Sequence, residues 1–343
     1  MKKLLATLTL ALAFIGCGGK KESNENTLYI YGWANTIPQS IYEAFEKETG
    51  IKVVEDIYSS NEEMFTKLKA GGNGYDIVMP SADYVEIMMK EGMLEKLNKN
   101  LLPSYSNLDP LVLEKLHHFD PENNYEVPYL IGATIIAVNK KYVPEFPRDY
   151  SIYEMSNLKG RMTLLDDMRE VMTSALGMLD YPQTTEDEQA IAQAADLVKS
   201  WKKNIAKFDA ESFGKGFASG DFWVVQGYPD NIFKELDENE RANVELVIPE
   251  KGGTAYVDSF VMLNSAPHKD AAYKFLEFTL RPEIAAQFAD LLETPSVNAP
   301  ARELMTVKPL FEISDLKNVQ VLRDIHSTLD LQNKYWQEIL IAD

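Results

Sequence analysis

The sequence of 343 residues is poor in the residue types that many enzymes and metal sites use. Its one cysteine, Cys17, excludes an internal disulfide and a cluster of thiolate metal ligands. Its four histidines, His117, His118, His268 and His326, show no metal-ligand spacing such as H-E-x-x-H. The phosphate-binding loop G-x-x-x-x-G-K-S/T and the nucleophile elbow G-x-S-x-G are absent. We therefore predict no catalytic residue, no metal site, no cofactor and no enzymatic activity.

Basic residues are scarce relative to acidic ones. There are 34 lysines and arginines against 53 aspartates and glutamates, which gives a formal net charge of −19. Binding to nucleic acid needs a basic patch, and docking on anionic lipid needs a basic surface. We therefore expect no nucleic-acid partner. A negative field concentrates cations near the surface, but acidity also promotes solubility, and the charge alone does not separate these interpretations.

A short apolar run lies near the start of the chain. Two lysines precede this run, 4–15, and a glycine and Cys17 follow it. This pattern is typical of a secretory signal peptide, and the run falls short of the roughly 20 apolar residues that a spanning helix needs. Residues 14–17 (FIGC) resemble the bacterial lipobox, which implies that Cys17 carries lipid. We expect a signal peptide over 1–16 and a lipidated flexible tether over 17–26.

From residue 27 onward, strand and helix patterns alternate. Segments rich in β-forming residues predict strands at 28–31, 51–55, 75–79, 134–139, 161–165, 222–226 and 254–263. Apolar periodicity predicts helices from about 38 to 49, over 62–70, before Gly92, and over 171–179, 186–201, 271–279 and 282–292. This alternation is typical of parallel sheets with helical crossovers, and the length suits two lobes. We expect an α/β fold with a cleft between the lobes.

A series of longer motifs runs through the chain in order. They are LYIYGW at 28–33, FEKETGIKVV at 45–54, SNE at 60–62, YDIVMPS at 75–81, KEGM at 90–93, SNLDP at 106–110, LLDD at 164–167, REV at 169–171 and VDS at 257–259. Together they resemble bacterial spermidine/putrescine-binding proteins of ABC polyamine importers. The resemblance implies a two-lobed, periplasmic-binding-protein-like type II fold with the ligand in the interlobe cleft. We expect lobe one over 27–132 and 258–298, and lobe two over 133–257 and 299–343.

The resemblance also implies a set of ligand-binding residues. The family positions that contact the polyamine correspond here to Trp33, Ser81, Asp167, Glu170, Tyr256 and Asp258. In the family, the two acids at 167 and 170 bind one amine end, and the acid at 258 binds another. These residue types suit the ligand, because polyamine amines are ammonium ions at neutral pH and need carboxylates once they leave water. Aromatic faces suit both the methylene chain and the neighbouring charge.

Several of these residues also have a purely structural interpretation. Asp167 and Glu170 are three residues apart at a predicted helix start, where an acidic cap and a first-turn acid are common. Ser81 also precedes a predicted helix and suits an N-cap. Trp33 follows a strand, where a packed aromatic is usual. The residues alone leave both interpretations open, and only the family resemblance favours ligand binding.

Some positions depart from the family pattern. Thr36 and Asp83 stand where spermidine-binding members carry aromatics, so one stacking surface becomes a carboxylate. Gln226 replaces a tryptophan, although Tyr228 is placed to supply a ring, and Thr294 replaces a tyrosine. We include Thr36, Asp83, Gln226 and Tyr228 among the predicted ligand-binding residues. The site keeps its acids and loses aromatics, so we expect amine binding to persist while the choice among amines stays open.

The expected function is the capture of polyamines, putrescine or spermidine or both, for the membrane permease of an ABC importer. We expect a monomer, held by its lipid anchor in the periplasm or on the outer face of the cytoplasmic membrane. Two alternatives remain open. One is a binding protein of the same fold for another cation or an amino acid, and the other is a ligand-sensing interaction protein.

Overall fold

The computed structural model describes residues 26–342, in which strands and helices alternate. The strands are β1 (Thr27–Trp33), β2 (Lys52–Tyr58), β3 (Ile77–Val78), β4 (Glu126–Asn139), β5 (Met162–Leu164), β6 (Lys207–Phe208), β7 (Val224–Gly227), β8 (Val244–Val247), β9 (Thr254–Met262) and β10 (Gln320–Val321). The helices are α1 (Gln39–Thr49), α2 (Asn61–Lys69), α3 (Ala82–Lys90), α4 (Pro110–Leu116), α5 (Met168–Met178), α6 (Glu188–Lys202), α7 (Phe213–Ala218), α8 (Pro229–Phe233), α9 (Glu238–Arg241), α10 (Lys269–Thr279), α11 (Pro282–Leu292) and α12 (Leu329–Ile341). Cys17 and the predicted signal peptide lie outside the described residues.

The strands form one mixed sheet in the order β2-β1-β3-β9-β4-β7-β5-β6, with β10 beside β9 and β8 beside β4. In the first half, β1 is parallel to β2 and β3. In the second half, β5 is parallel to β6 and β7. The predicted parallel crossovers are therefore present in both halves. Between them, β9 is antiparallel to β3 and β4, and β4 is antiparallel to β7.

Strands β4 and β9 connect the two halves of the sheet. Residues 126–134 of β4 pair with β9, and residues 135–138 of the same strand pair with β7. The predicted lobe boundaries, after residues 132 and 257, fall within these two strands. Ligands of open α/β sheets bind beyond the carboxyl ends of strands where the strand order changes direction, so this connection is where a site is expected.

Apolar periodicity and end residues account for the positions of helices α1 and α11. Ile41 and Phe45 are fully buried on α1, and the helix ends at Gly50, which adopts the left-handed conformation that glycine tolerates best. Helix α11 spans the predicted range from Pro282, a residue favoured at the first helical position. None of the helices in residues 26–342 combines the length and the apolar character that a membrane span requires.

Candidate functional site in the cleft

A cavity of about 630 Å³ lies between the two halves of the sheet. Its walls come from the end of β1, the starts of α2, α3 and α5, the segment after β7, and the middle of β9. All but two of the predicted ligand-binding residues line it, namely Trp33, Ser81, Asp83, Asp167, Glu170, Tyr228, Tyr256 and Asp258. Residues predicted from distant parts of the sequence therefore meet in one place.

Asp258 provides the acid on the wall formed by β9. The residue is 8% exposed, and its Oδ1 accepts a hydrogen bond from the Ser81 hydroxyl at 2.7 Å. The Asn61 amide in turn donates to the Ser81 oxygen at 3.1 Å. Burial raises the pKa of Asp258 to about 7, while the donation from Ser81 lowers it. Ser81 precedes α3 as expected, but its side chain makes no capping bond and serves Asp258 instead.

Asp167 and Glu170 provide acids on the opposite wall. Asp167 is the N-cap of α5, and its Oδ1 accepts from the backbone N–H groups of Arg169 and Glu170 at 2.9 and 3.1 Å. Glu170 is buried, and its Oε2 accepts from the Thr254 hydroxyl at 2.5 Å. Burial, and then the negative charge of Asp167, raise the pKa of Glu170. Both acids therefore stabilise the local structure and also line the cavity.

Asp83 is paired with a cation inside the cavity. It lies in the first turn of α3, is 5% exposed, and accepts a hydrogen bond from the Arg169 guanidinium of α5. Burial raises the pKa of Asp83, and Arg169 acts against that rise. The predicted additional acid thus already has a counter-ion from the opposite wall.

Three aromatic rings contribute to the lining. The Trp33 ring lies with its centroid 4.5 Å from that of Tyr58, tilted by 60°. Tyr228 and Tyr256 meet edge to face, with centroids 5.7 Å apart. Gly132 lies opposite Tyr256 in the β4–β9 register, and a Cβ atom on this glycine would approach the Tyr256 ring to 2.1 Å. The absence of a side chain at Gly132 therefore allows Tyr256 its position.

Two predicted ligand-binding residues lie outside the lining. Thr36 is buried in the loop between β1 and α1. Gln226 is fully buried in β7, where its Oε1 accepts from the Leu165 N–H and its Nε2 donates to the Tyr150 hydroxyl, both at 3.0 Å. The Gln226 amide is thus hydrogen-bonded at both ends within the second half of the sheet.

Several lining residues were missed by sequence reasoning. Those with a carboxyl, amide or guanidinium group are Asn61, Glu62, Arg169, Asp230 and Asn231. The first three lie inside the matched motifs at 60–62 and 169–171, and Asp230 is two positions after Tyr228. Glu62 accepts from the Tyr84 hydroxyl at 2.9 Å, and burial raises the pKa of Asp230. Thr294, noted only as a departure from the family, also lines the cavity.

The cavity is strongly acidic. Its described lining contains the carboxyl groups of Glu62, Asp83, Asp167, Glu170, Asp230 and Asp258, with Arg169 as the one cationic side chain. Within residues 26–342, no three acid, histidine or cysteine side chains converge as metal ligands would. Acids on opposite walls with aromatic rings between them suit an elongated ligand with separated positive charges.

Comparison with known proteins places the chain in a family. Residues 40–311 match the family described as bacterial extracellular solute-binding protein. The spermidine/putrescine-binding periplasmic protein of Escherichia coli (strain K12) is 35% identical over 346 aligned positions, which cover 98% of this chain and 97% of the relative. The chain belongs to the bacterial extracellular solute-binding proteins.

Other members of this solute-binding family are similar over nearly their full length. The putrescine/cadaverine-binding protein of Pseudomonas aeruginosa is 30% identical, with 99% of each chain covered. The crystal structure of the TpPotD lipoprotein of Treponema pallidum matches with a TM-score of 0.86 and 38% identity, covering 92% of this chain and 100% of that one. The predicted two-lobed type II fold is thereby confirmed.

Proposed function

We propose that this solute-binding protein captures linear polyamines, putrescine and spermidine among them, for the permease of an ABC importer. The observation that carries the proposal is the cavity with buried acids on opposite walls and aromatic rings between them. Polyamine amines titrate near lysine, so their ends are ammonium ions at neutral pH. The names of the Escherichia coli and Pseudomonas aeruginosa relatives support the same ligand class.

The proposed roles follow from position and chemistry. Asp258 binds one ammonium end, with Ser81 holding its carboxylate in place. Asp167 and Glu170 bind the other end from the start of α5. The rings of Trp33, Tyr228 and Tyr256 cover the methylene chain and the adjacent charges. A ring–ammonium contact contributes ~0.5–2 kcal/mol, and a hydrogen bond to a charged group contributes ~1.5–3 kcal/mol.

The same lining argues against an amino acid as ligand. An amino acid brings a carboxylate, which would need a free cationic partner once removed from water. Arg169, the one cationic side chain of the described lining, is already paired with Asp83. We also propose that the ligand leaves unchanged, because the family consists of solute-binding proteins and the site is accounted for by binding alone.

Delivery to the permease requires the ligand to be enclosed and later released. Bending of β4 and β9, the strands that join the two halves, would close the cavity around the ligand, as hinge motions do in other two-lobed binding proteins. The proposed working form is a monomer tethered to the membrane by lipid on Cys17. The lipoprotein from Treponema pallidum supports the tether.

Titration calorimetry of the protein with a panel of ligands tests the proposal. The panel comprises putrescine, spermidine, glutamate, γ-aminobutyrate and a monosaccharide. We expect saturable binding of both polyamines and none of the others at the same concentrations. Binding of an amino acid in preference to both polyamines, or failure of both polyamines to bind, would contradict the proposed function.

A further inference from the structure

The Asp83–Arg169 pair crosses the cavity and involves two elements that belong to different halves of the fold. Asp83 lies on α3, which follows β3, and Arg169 lies on α5, which follows β5. The Arg169 Nη1 donates to Asp83 Oδ2, and the two side chains are only 20% and 7% exposed. The cavity therefore contains a guanidinium whose charge is balanced by one of the lining acids.

Arg169 is held in this position from two further directions. Its Nη2 donates to the Arg323 carbonyl oxygen at 2.7 Å, and its own backbone N–H donates to the Asp167 cap. A guanidinium engaged by two groups, on a residue whose backbone is also hydrogen-bonded, has little freedom to turn away when a ligand enters. The planar fork of arginine suits this arrangement better than the single ammonium of lysine.

The Asp83–Arg169 pair reduces the negative charge of the cavity that is available to a ligand. Asp83 is neutralised by Arg169, and Glu62 already accepts a hydrogen bond from Tyr84. Among the lining acids without a cationic partner in the described residues, Asp258 on one wall lies opposite Asp167 and Glu170 on the other, and Glu62 and Asp230 are also unpaired by a cation. Asp258 opposite Asp167 and Glu170 matches two ammonium ends, whereas a third ammonium near Asp83 would find that carboxylate already paired with Arg169.

We infer that Arg169 is a specificity-determining residue that disfavours triamines relative to diamines. It does so by occupying Asp83, a carboxylate that a third ammonium would otherwise use. The inference rests on the proposed polyamine-binding function. It concerns the ratio of affinities and not the ability to bind polyamines.

The test measures Kd for putrescine and spermidine by titration calorimetry at one pH and ionic strength. Arg169→Gln frees Asp83, so we expect the spermidine-to-putrescine affinity ratio to rise by about tenfold or more, the equivalent of one hydrogen bond to a charged group. Arg169→Lys keeps the charge and should change the ratio by less than about threefold. The double variant Asp83→Asn/Arg169→Gln lacks the freed acid and should lose most of the gain.

Asp83→Asn provides an independent measurement if Arg169→Gln does not fold, as judged by thermal unfolding. It leaves Arg169 without its counter-ion, so the ratio should fall by about threefold or more because spermidine carries more charge. An unchanged ratio in folded Arg169→Gln or in Asp83→Asn would overturn the inference. Wild-type protein that binds neither amine would instead overturn the proposed function on which the inference rests.

Discussion

Asp258 is a carboxylate that lines the cavity, as an ammonium-binding residue must. It is nearly buried, it accepts from Ser81, and the one cationic residue of the described lining pairs with Asp83 instead. Asp258→Asn keeps the shape and removes the charge. Because loss of one partner of a desolvated ion pair costs ~3–5 kcal/mol, we expect putrescine affinity to fall by about a hundredfold or more.

Titration calorimetry measures this loss, and an exposed acid provides the matched control. Asp166 lies next to Asp167 but outside the cavity lining, so Asp166→Asn should leave the affinity unchanged. A decrease of less than about threefold in Asp258→Asn would remove Asp258 from the proposed site, since even an exposed ion pair can contribute that much.

Gly132 determines where the Tyr256 ring lies, because it has no side chain to displace that ring. A methyl group there would overlap the Tyr256 ring, so Gly132→Ala should displace the ring from the cavity. Overpacking of this kind costs ~1–3 kcal/mol, and we expect a modest fall in melting temperature together with at least a severalfold loss of polyamine affinity. Tyr256→Phe, which keeps the ring, is the control in the calorimetric titration. Unchanged affinity in folded Gly132→Ala would show that the Tyr256 ring does not contact the ligand.

At the residue scale, the sequence predicts which residues line the cavity but not which of them hydrogen-bond to one another. Ser81 has the local pattern of an N-cap, yet its hydroxyl donates to Asp258, 177 positions away. The partner of Asp83 is 86 positions away on α5. Pairings of this kind depend on how β9 and α5 are placed by the whole sheet, and no local pattern encodes them. The family resemblance indicated which residues contact the ligand, and the structure showed which residues hydrogen-bond to them.

At the scale of elements, α5 combines a cap with a proposed ligand group in Asp167. Asparagine caps a helix about as well as aspartate, whereas alanine costs ~0.5–2 kcal/mol. Asp167→Asn should therefore keep the free energy of unfolding within about 1 kcal/mol and still weaken polyamine binding. Asp167→Ala should lower both.

Denaturant unfolding without ligand and titration calorimetry with putrescine separate the two roles of Asp167. If Asp167→Asn binds putrescine as the wild-type protein does, Asp167 is a helix cap and its charge does not serve the ligand. Equal stability of Asp167→Ala and wild type would argue against the capping role.

Elements with clear end signals were predicted best. Helix α11 begins at Pro282 and ends where predicted, and α1 ends at Gly50. Strand β4 begins at Glu126, well before the predicted 134, because Pro128 and Gly132 interrupt its β-forming pattern. Both interruptions are explained by tertiary structure, since the β4–β9 register shifts near Pro128 and Tyr256 packs over Gly132. Helix α12 was not predicted.

At the scale of the whole molecule, the proposed tether depends on one residue. If Cys17 carries lipid, Cys17→Ser should move the protein from the membrane fraction to the soluble fraction or leave the signal peptide uncleaved. Immunoblotting of fractionated cells that express the full chain measures this. Ser23→Ala, a change in the polar segment beside Cys17, is the control and should leave fractionation as in wild type. Unchanged fractionation and processing of Cys17→Ser would contradict the lipid anchor.

Because the acids are buried between two lobes, ligand binding is also coupled to the release of protons from these acids. Burial raises the pKa values of Asp258 and Glu170 to about 7, above the usual ~4 of a carboxyl group. Without ligand, the folded protein therefore keeps protons that the unfolded chain has already lost. By linkage, the contribution of these groups to the free energy of unfolding falls as pH rises through about 7.

An ammonium ligand reverses this balance, because it favours the ionised carboxylates. Polyamine affinity should therefore increase with pH up to about 7, by as much as about tenfold per pH unit for each carboxyl group that must ionise, and level off above the pKa of Asp258. Binding at pH 7 should release protons, which titration calorimetry in two buffers of different ionisation enthalpy detects. Asp258→Asn should release fewer protons than wild type under the same conditions. Affinity that is equal at pH 6 and pH 8, with no proton release, would show that these carboxyl groups are already ionised in the ligand-free protein.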